Sequence, residues 1–190
     1  MWLWIILVGL GLTIAVARFD APLNGLIHAN NLPGDVRREW LALQQYGQGS
    51  SIVIIVLVVV LMDKARRHRL KDYAIAMLIT GIAVTALKML VGRPRPKFDD
   101  PTCFLGPRGM YPVADDMGVY HLQHAWDFPA WKHGQLWSMP SSHTAFAFVL
   151  TMFVWFVYPK LRWLAVVLAC IVAGGRLIFD AHWASDVIAG

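Results

Sequence analysis

Ile52–Asp72 (IVIIVLVVVLMDKARRHRLKD) is the stretch that decides the fold class. It is an unbroken apolar run to Met62, followed by Lys64, Arg66, Arg67, Arg69 and Lys71 within eight residues. A helix apolar on every side has no face to turn to water and belongs in a core or a bilayer. Crossing a bilayer takes about 20 residues. The run is therefore expected to begin near Leu41, carrying Gln44, Gln45 and Gln48 inside one helix. The basic stretch alone would fit a nucleic-acid patch. Placed between this run and the next, Tyr73–Val91, it reads instead as a positive-inside anchor, and no nucleic acid is expected as a partner.

Working outward, further apolar runs are Trp2–Ala17, Thr144–Tyr158 and Leu161–Phe179. The chain of 190 residues is 57% hydrophobic and 15% charged, against roughly 45–50% and about 25% in soluble domains. Disordered and fibrous classes are excluded. The expected architecture is all-α: a polytopic membrane helix bundle of about six spans in a single domain, 1–190. The spans are expected near 2–17, 41–62, 73–91, 142–158 and 161–179, with the start of a sixth at 182–190 and an outer loop over 92–140. From His182 to Gly190 a helix is about 14 Å long, half a bilayer core, so the last span is expected to be truncated at Gly190. Ala15-Val16-Ala17 fits a signal-peptidase site, but no basic residue precedes it, so a retained first span is expected. Asn24-Gly25 and 31–34 read as turns, and Asp35 as the N-cap of a helix from Val36. Cys103 and Cys170, one in a polar and one in an apolar setting, read as free thiols.

Lys160 and Arg162 fall on the same side as the basic stretch if the spans alternate, which places Gly92–Ser138 outside. These seven loop cations, against Asp63 and Asp72, account for the whole net charge of +5. The charge therefore records topology, and any anion chemistry lies in the balanced remainder. Trp126, Trp131 and Trp137, with Phe128 and Tyr120, read as headgroup-level aromatics; an access route for a lipid chain is the other use of such rings.

Three clusters at outer span ends break the apolar pattern. The first is Lys88 with Arg93-Pro94-Arg95-Pro96, where proline holds each preceding arginine in extended backbone. Three cations this close repel one another unless an anion joins them. The second is Pro140-Ser141-Ser142-His143, a helix start whose free N–H groups and dipole suit an anion, with a histidine as proton donor. The third runs from Arg176 through His182 to Asp186. On a helix His182 and Asp186, four apart, share a face, where a carboxylate fixes the imidazole tautomer and leaves the other nitrogen free to attack. Two histidines and an aspartate could ligate zinc, but Lys88, Arg95 and Arg176 would repel a dication, so no metal is expected. His121-x-x-His124 with His133 reads as polar loop.

Lys88-x6-Arg95-Pro96, Pro140-Ser141-Ser142-His143 and Arg176-x5-His182-x3-Asp186, in that order, resemble the tripartite signature of the phosphatidic acid phosphatase type 2 superfamily, in its bacterial integral-membrane branch. The resemblance covers the chain from the third span to the end. It implies a catalytic set of His182 as nucleophile through a phosphohistidine, Asp186 holding its imidazole, and His143 protonating the leaving group and then activating water. Lys88, Arg95 and Arg176, with Ser141 and Ser142, would bind the phosphoryl group, and no cofactor is required. Two positions depart from the pattern: Ser142 stands where glycine is usual, and Gly175 stands where a serine usually precedes the arginine, removing a hydroxyl donor to the phosphate. The expected function is metal-independent hydrolysis of a lipid phosphate or diphosphate at the outer face of a bacterial cytoplasmic membrane. Candidate substrates are a polyprenyl diphosphate, phosphatidylglycerophosphate, phosphatidic acid or a lipid A phosphate. A lipid phosphotransferase and a non-catalytic lipid-phosphate binder are the alternatives; the complete set of acid, nucleophile and cations favours the enzyme.

Overall fold

The computed structural model describes residues 2–27, 32–127 and 134–190. The chain is mostly helical. Its elements are α1 (Trp2–Ala17), α2 (Asp20–Ile27), α3 (Gly34–Leu43), α4 (Gly49–Met62), α5 (Arg69–Val91), β1 (Tyr111–Ala114), β2 (Tyr120–Gln123), α6 (Ser142–Val157), α7 (Arg162–Ile178) and α8 (Ala184–Ala189). Among the described residues, α5 and Pro159–Ile178 are long and apolar enough to cross a membrane, and the bent pair α1–α2 makes a third if it counts as one span. Helices α4 and α6 are apolar but shorter. Leu, Ile and Val side chains lie exposed along α1, α4, α5 and α7. Apolar area on that scale is expensive in water at roughly 25 cal/mol per Å² and costs nothing against lipid tails, so this is a membrane protein.

Two compact units make up the chain: Met1–His28 with Val84–Ser141 and Leu177–Gly190, and Ala29–Ala83 with Ser142–Arg176. In the first unit α1 and α2 pack on α8, and α1 and α2 meet at a bend of 71°. The outer segment is not structureless. Beyond a short 3-10 turn at Pro96–Phe98, β1 and β2 form an antiparallel hairpin with Val113 opposite His121, which the all-α expectation did not include. A small core of Val113, Ala125 and Leu136, lined by Phe98, Leu105, Tyr111 and Trp137, holds this segment together. Trp137 is thus a packing residue, its indole N–H donating to the Ala125 carbonyl at 2.5 Å, whereas Trp126 and Tyr120 are exposed. Phe128, Trp131, His133 and Asn31 lie outside the described residues.

In the second unit the core is Val59, Tyr73, Leu150, Phe153, Val154 and Ala165. The expected helix from Leu41 to Met62 is broken here: α3 ends at Leu43, and α4 starts at Gly49. The turn passes through Gly47 at φ +83°, where a Cβ would lie 2.6 Å from the Ala147 backbone. Both the left-handed dihedral and the close approach to α6 require glycine. Gly47→Ala is expected to cost about 3 kcal/mol or more, read as a lowered melting temperature in detergent; an unchanged melt would show that the turn relaxes freely. The break also frees Gln44 to turn its side chain inward, and it is buried. Asp35 does not cap α3; Pro33 precedes the first turn without a side-chain cap.

Candidate active site

Of the eight predicted site residues, Lys88, Arg95, Ser141, His182 and Asp186 belong to the first unit, and Ser142, His143 and Arg176 to the second. In the first unit His182 sits in a bend ahead of α8, so it and Asp186 are not a pair along one helix face. The turn does the work instead: the Trp183 N–H donates back to the Asp186 carboxylate at 2.9 Å. The His182 Nδ1 pairs with the Ser138 carbonyl at 2.6 Å, while the nearest Asp186 oxygen is 3.9 Å away. A carbonyl can only accept, so Nδ1 carries a proton, and in the neutral form of this imidazole the lone pair lies on Nε2. Asp186 reaches the imidazole at one remove, by accepting the Ser138 hydroxyl at 2.5 Å.

Asp186 is in turn held by Arg93, which is fully buried. Arg93 donates to Asp186 at 2.6 Å and to Ser185 Oγ at 2.7 Å from one nitrogen, and from the other to Asp20 at 2.7 Å and the Pro101 carbonyl at 2.5 Å. Its guanidinium also stacks on Phe104 and Trp183, at 4.7 and 5.5 Å from the ring centroids. Asp20 completes the network by accepting the Ser185 N–H at 2.9 Å and its hydroxyl at 2.5 Å. Arg93 is therefore not one of three cations gathered for an anion. Two aspartates neutralise it, as burial of its charge demands.

Lys88 and Arg95 are the two cations of this unit among the predicted site residues. Lys88, near the end of α5, is buried, and its ammonium donates to the Trp137 carbonyl at 2.5 Å. Arg95 donates through Nε to the Gly134 carbonyl at 2.8 Å, and its backbone N–H bonds Gln135 at 3.1 Å. Burial pushes its guanidinium below its usual value, against the upward pull of the Asp186 charge. Ser141 is buried, its N–H donating to the Asp186 carbonyl at 2.9 Å. In the second unit Ser142 and His143 form the first turn of α6, both half-buried. Arg176, in the last turn of α7, donates to Gln44 Oε1 at 3.1 Å.

His121 bonds Asp115 at 3.1 Å and His124 faces the Gly109 carbonyl at 2.9 Å, so each has its own partner. Among the described residues no three His, Cys, Asp or Glu side chains are gathered as a metal group. Cys103 and Cys170 are free thiols.

The PAP2 superfamily model matches residues 69–190, almost two thirds of the chain. The chain belongs to the PAP2 superfamily. The match takes in all eight predicted site residues of this PAP2 chain and excludes Asp20 and Gln44. The fold is similar to the crystal structure described as the first transmembrane PAP2-type phosphatidylglycerolphosphate phosphatase from Bacillus subtilis, at 15% identity and a TM-score of 0.64. That likeness covers 98% of this chain and 87% of the other. No curated protein matches the chain.

Asp20 and Ser138, which bond to this network, were not singled out in the sequence, and Arg93 was read there only as a cation beside Lys88 and Arg95. For Asp20 a signal existed: a carboxylate directly after an apolar span is costly there and calls for a partner.

Proposed function

We propose that this protein is an integral-membrane lipid phosphatase that hydrolyses a lipid phosphomonoester or diphosphate through a phosphohistidine. The observation that carries the reading is the state of His182: Nδ1–H is spent on the Ser138 carbonyl, which leaves the Nε2 lone pair as the nucleophile. In the first step Nε2 attacks phosphorus, the bond from phosphorus to the lipid oxygen breaks, and His143 gives its proton to the leaving oxygen. In the second, His143 takes a proton from water, the water oxygen bonds phosphorus, and the P–N bond breaks to release phosphate. Lys88, Arg95 and Arg176, with Ser141 and Ser142, bind the phosphoryl oxygens, where developing charge is best met by fixed donors. Asp186 acts on the imidazole through Ser138. The reading includes six spans in a bacterial cytoplasmic membrane, with the site on the outer face, and rests on the distribution of loop cations.

A lipid substrate is supported by the named activity of the Bacillus subtilis protein and by cations placed at span ends. The test is phosphate release from phosphatidylglycerophosphate, phosphatidic acid, a polyprenyl diphosphate and a lipid A phosphate, each with excess chelator. Release from at least one lipid at a rate the chelator does not change is expected. No release from any, or chelator-sensitive release restored by a metal, would overturn the reading.

A further inference from the structure

Gln44 is a buried polar side chain at the end of α3, outside the family match and outside every predicted role. Its Oε1 accepts from Arg176 Nη1 at 3.1 Å. Arginine offers only donors, so that contact fixes which end of the amide is oxygen. Nε2 is then a buried donor with no hydrogen-bond partner among the described residues. An unmet buried donor is costly and calls for a purpose.

The neighbouring residue supplies a second observation. A Cβ at Gly175 would lie 2.6 Å from Gln44 Cδ and 2.9 Å from Trp40 Nε1. The end of the Gln44 side chain therefore occupies the space that any side chain at 175 would need. Trp40 is anchored by its own bond to the Ile171 carbonyl at 3.1 Å, so neither neighbour yields easily. The sequence departs from its family pattern at this same position, with glycine for serine.

We propose that Gln44 is an additional arm of the phosphate site: its carbonyl sets the Arg176 guanidinium, and its amide N–H group is a donor for the phosphoryl oxygens. This inference rests on the phosphatase reading. Gly175 and Gln44 form an exchange pair, in which the missing side chain at 175 makes room for the amide that replaces it. Room and donor are coupled, so each residue is interpretable only with the other.

The experiment measures competitive inhibition by orthophosphate, together with KM and kcat on the best lipid substrate, in the purified protein. Gln44→Leu is expected to weaken orthophosphate and raise KM by about tenfold, with a smaller change in kcat. Gly175→Ser alone is expected to be impaired by collision with the amide. Adding Gly175→Ser to Gln44→Ala is expected to restore affinity above that of Gln44→Ala alone, because a hydroxyl re-enters the emptied space. A merely structural glutamine would lower the melt without that reciprocal rescue. Wild-type orthophosphate affinity in a folded Gln44→Leu protein, or a double variant no better than either single one, would overturn the inference while the phosphatase reading stands. If the parent protein releases no phosphate from any lipid, the phosphatase reading fails and the inference falls with it.

Discussion

Arg93→Ala is expected to cost about 3–5 kcal/mol of stability, lowering the melting temperature by roughly 10 °C. Removing the guanidinium leaves Asp20 and Asp186 as two buried carboxylates with their shared cation gone. It also takes donors from Ser185 and the Pro101 carbonyl, and a cation from the faces of Phe104 and Trp183. Net stabilities of folded proteins are only about 5–15 kcal/mol, so the loss is a large share of the total. Arg93→Lys keeps the charge, but one ammonium cannot span both aspartates in the fork geometry of arginine, and an intermediate loss is expected. Asp20→Asn should sit between parent and Arg93→Ala, since Asn keeps an acceptor for Ser185 while removing one charge. Melting curves in a single detergent measure the series. An Arg93→Ala protein melting within about 2 °C of the parent would show that the network contributes little.

His182→Ala is expected to lower phosphate release at least a thousandfold, on the order of what loss of a nucleophile costs where residual binding persists. A phosphoprotein trapped at short times with labelled lipid should be present in the parent and absent from the variant. Since His182 is buried and bonded to the Ser138 carbonyl, His182→Gln is the companion variant that keeps a polar group and tests chemistry with less effect on packing. The observed geometry adds a graded prediction. If the Ser138 carbonyl fixes the tautomer and Asp186 holds Ser138, Ser138→Ala should lower kcat about tenfold, the share of one charge-assisted bond. A Ser138→Ala protein of full activity would mean that Asp186 acts on the imidazole without this link. Undiminished release by a folded His182→Gln protein would end the phosphohistidine mechanism.

Much of the scaffold was legible in the amino-acid order. The bounds of α1 agree with the first predicted span, and α5, α6 and α7 lie within a few residues of theirs, because in these runs hydrophobicity alone selects the helical state. The run before Met62 was misread at its start: hydropathy cannot see that Gly47 at positive φ breaks the helix against Ala147. The hairpin at β1 and β2 was missed too, since its pairing joins short segments whose register depends on the core beneath them. For the site, the sequence named candidate cations and histidines and grouped Arg93 with Lys88 and Arg95 by proximity, but it could not show that Arg93 is paired with Asp20 and Asp186.

By itself, then, the sequence determined what is repeated or charged along the chain. That comprises the apolar runs, the loops that bear the basic residues, and the three motif clusters with their residue types, because these depend on composition and local spacing. Only the tertiary structure decided who holds whom. Arg93 is committed to Asp20 and Asp186, His182 takes its tautomer from a backbone carbonyl, and Gln44 fills the space beside Gly175. Each of these joins residues far apart in the chain, and which buried polar groups satisfy one another is set by packing, where an unmet charge or donor is too costly to leave.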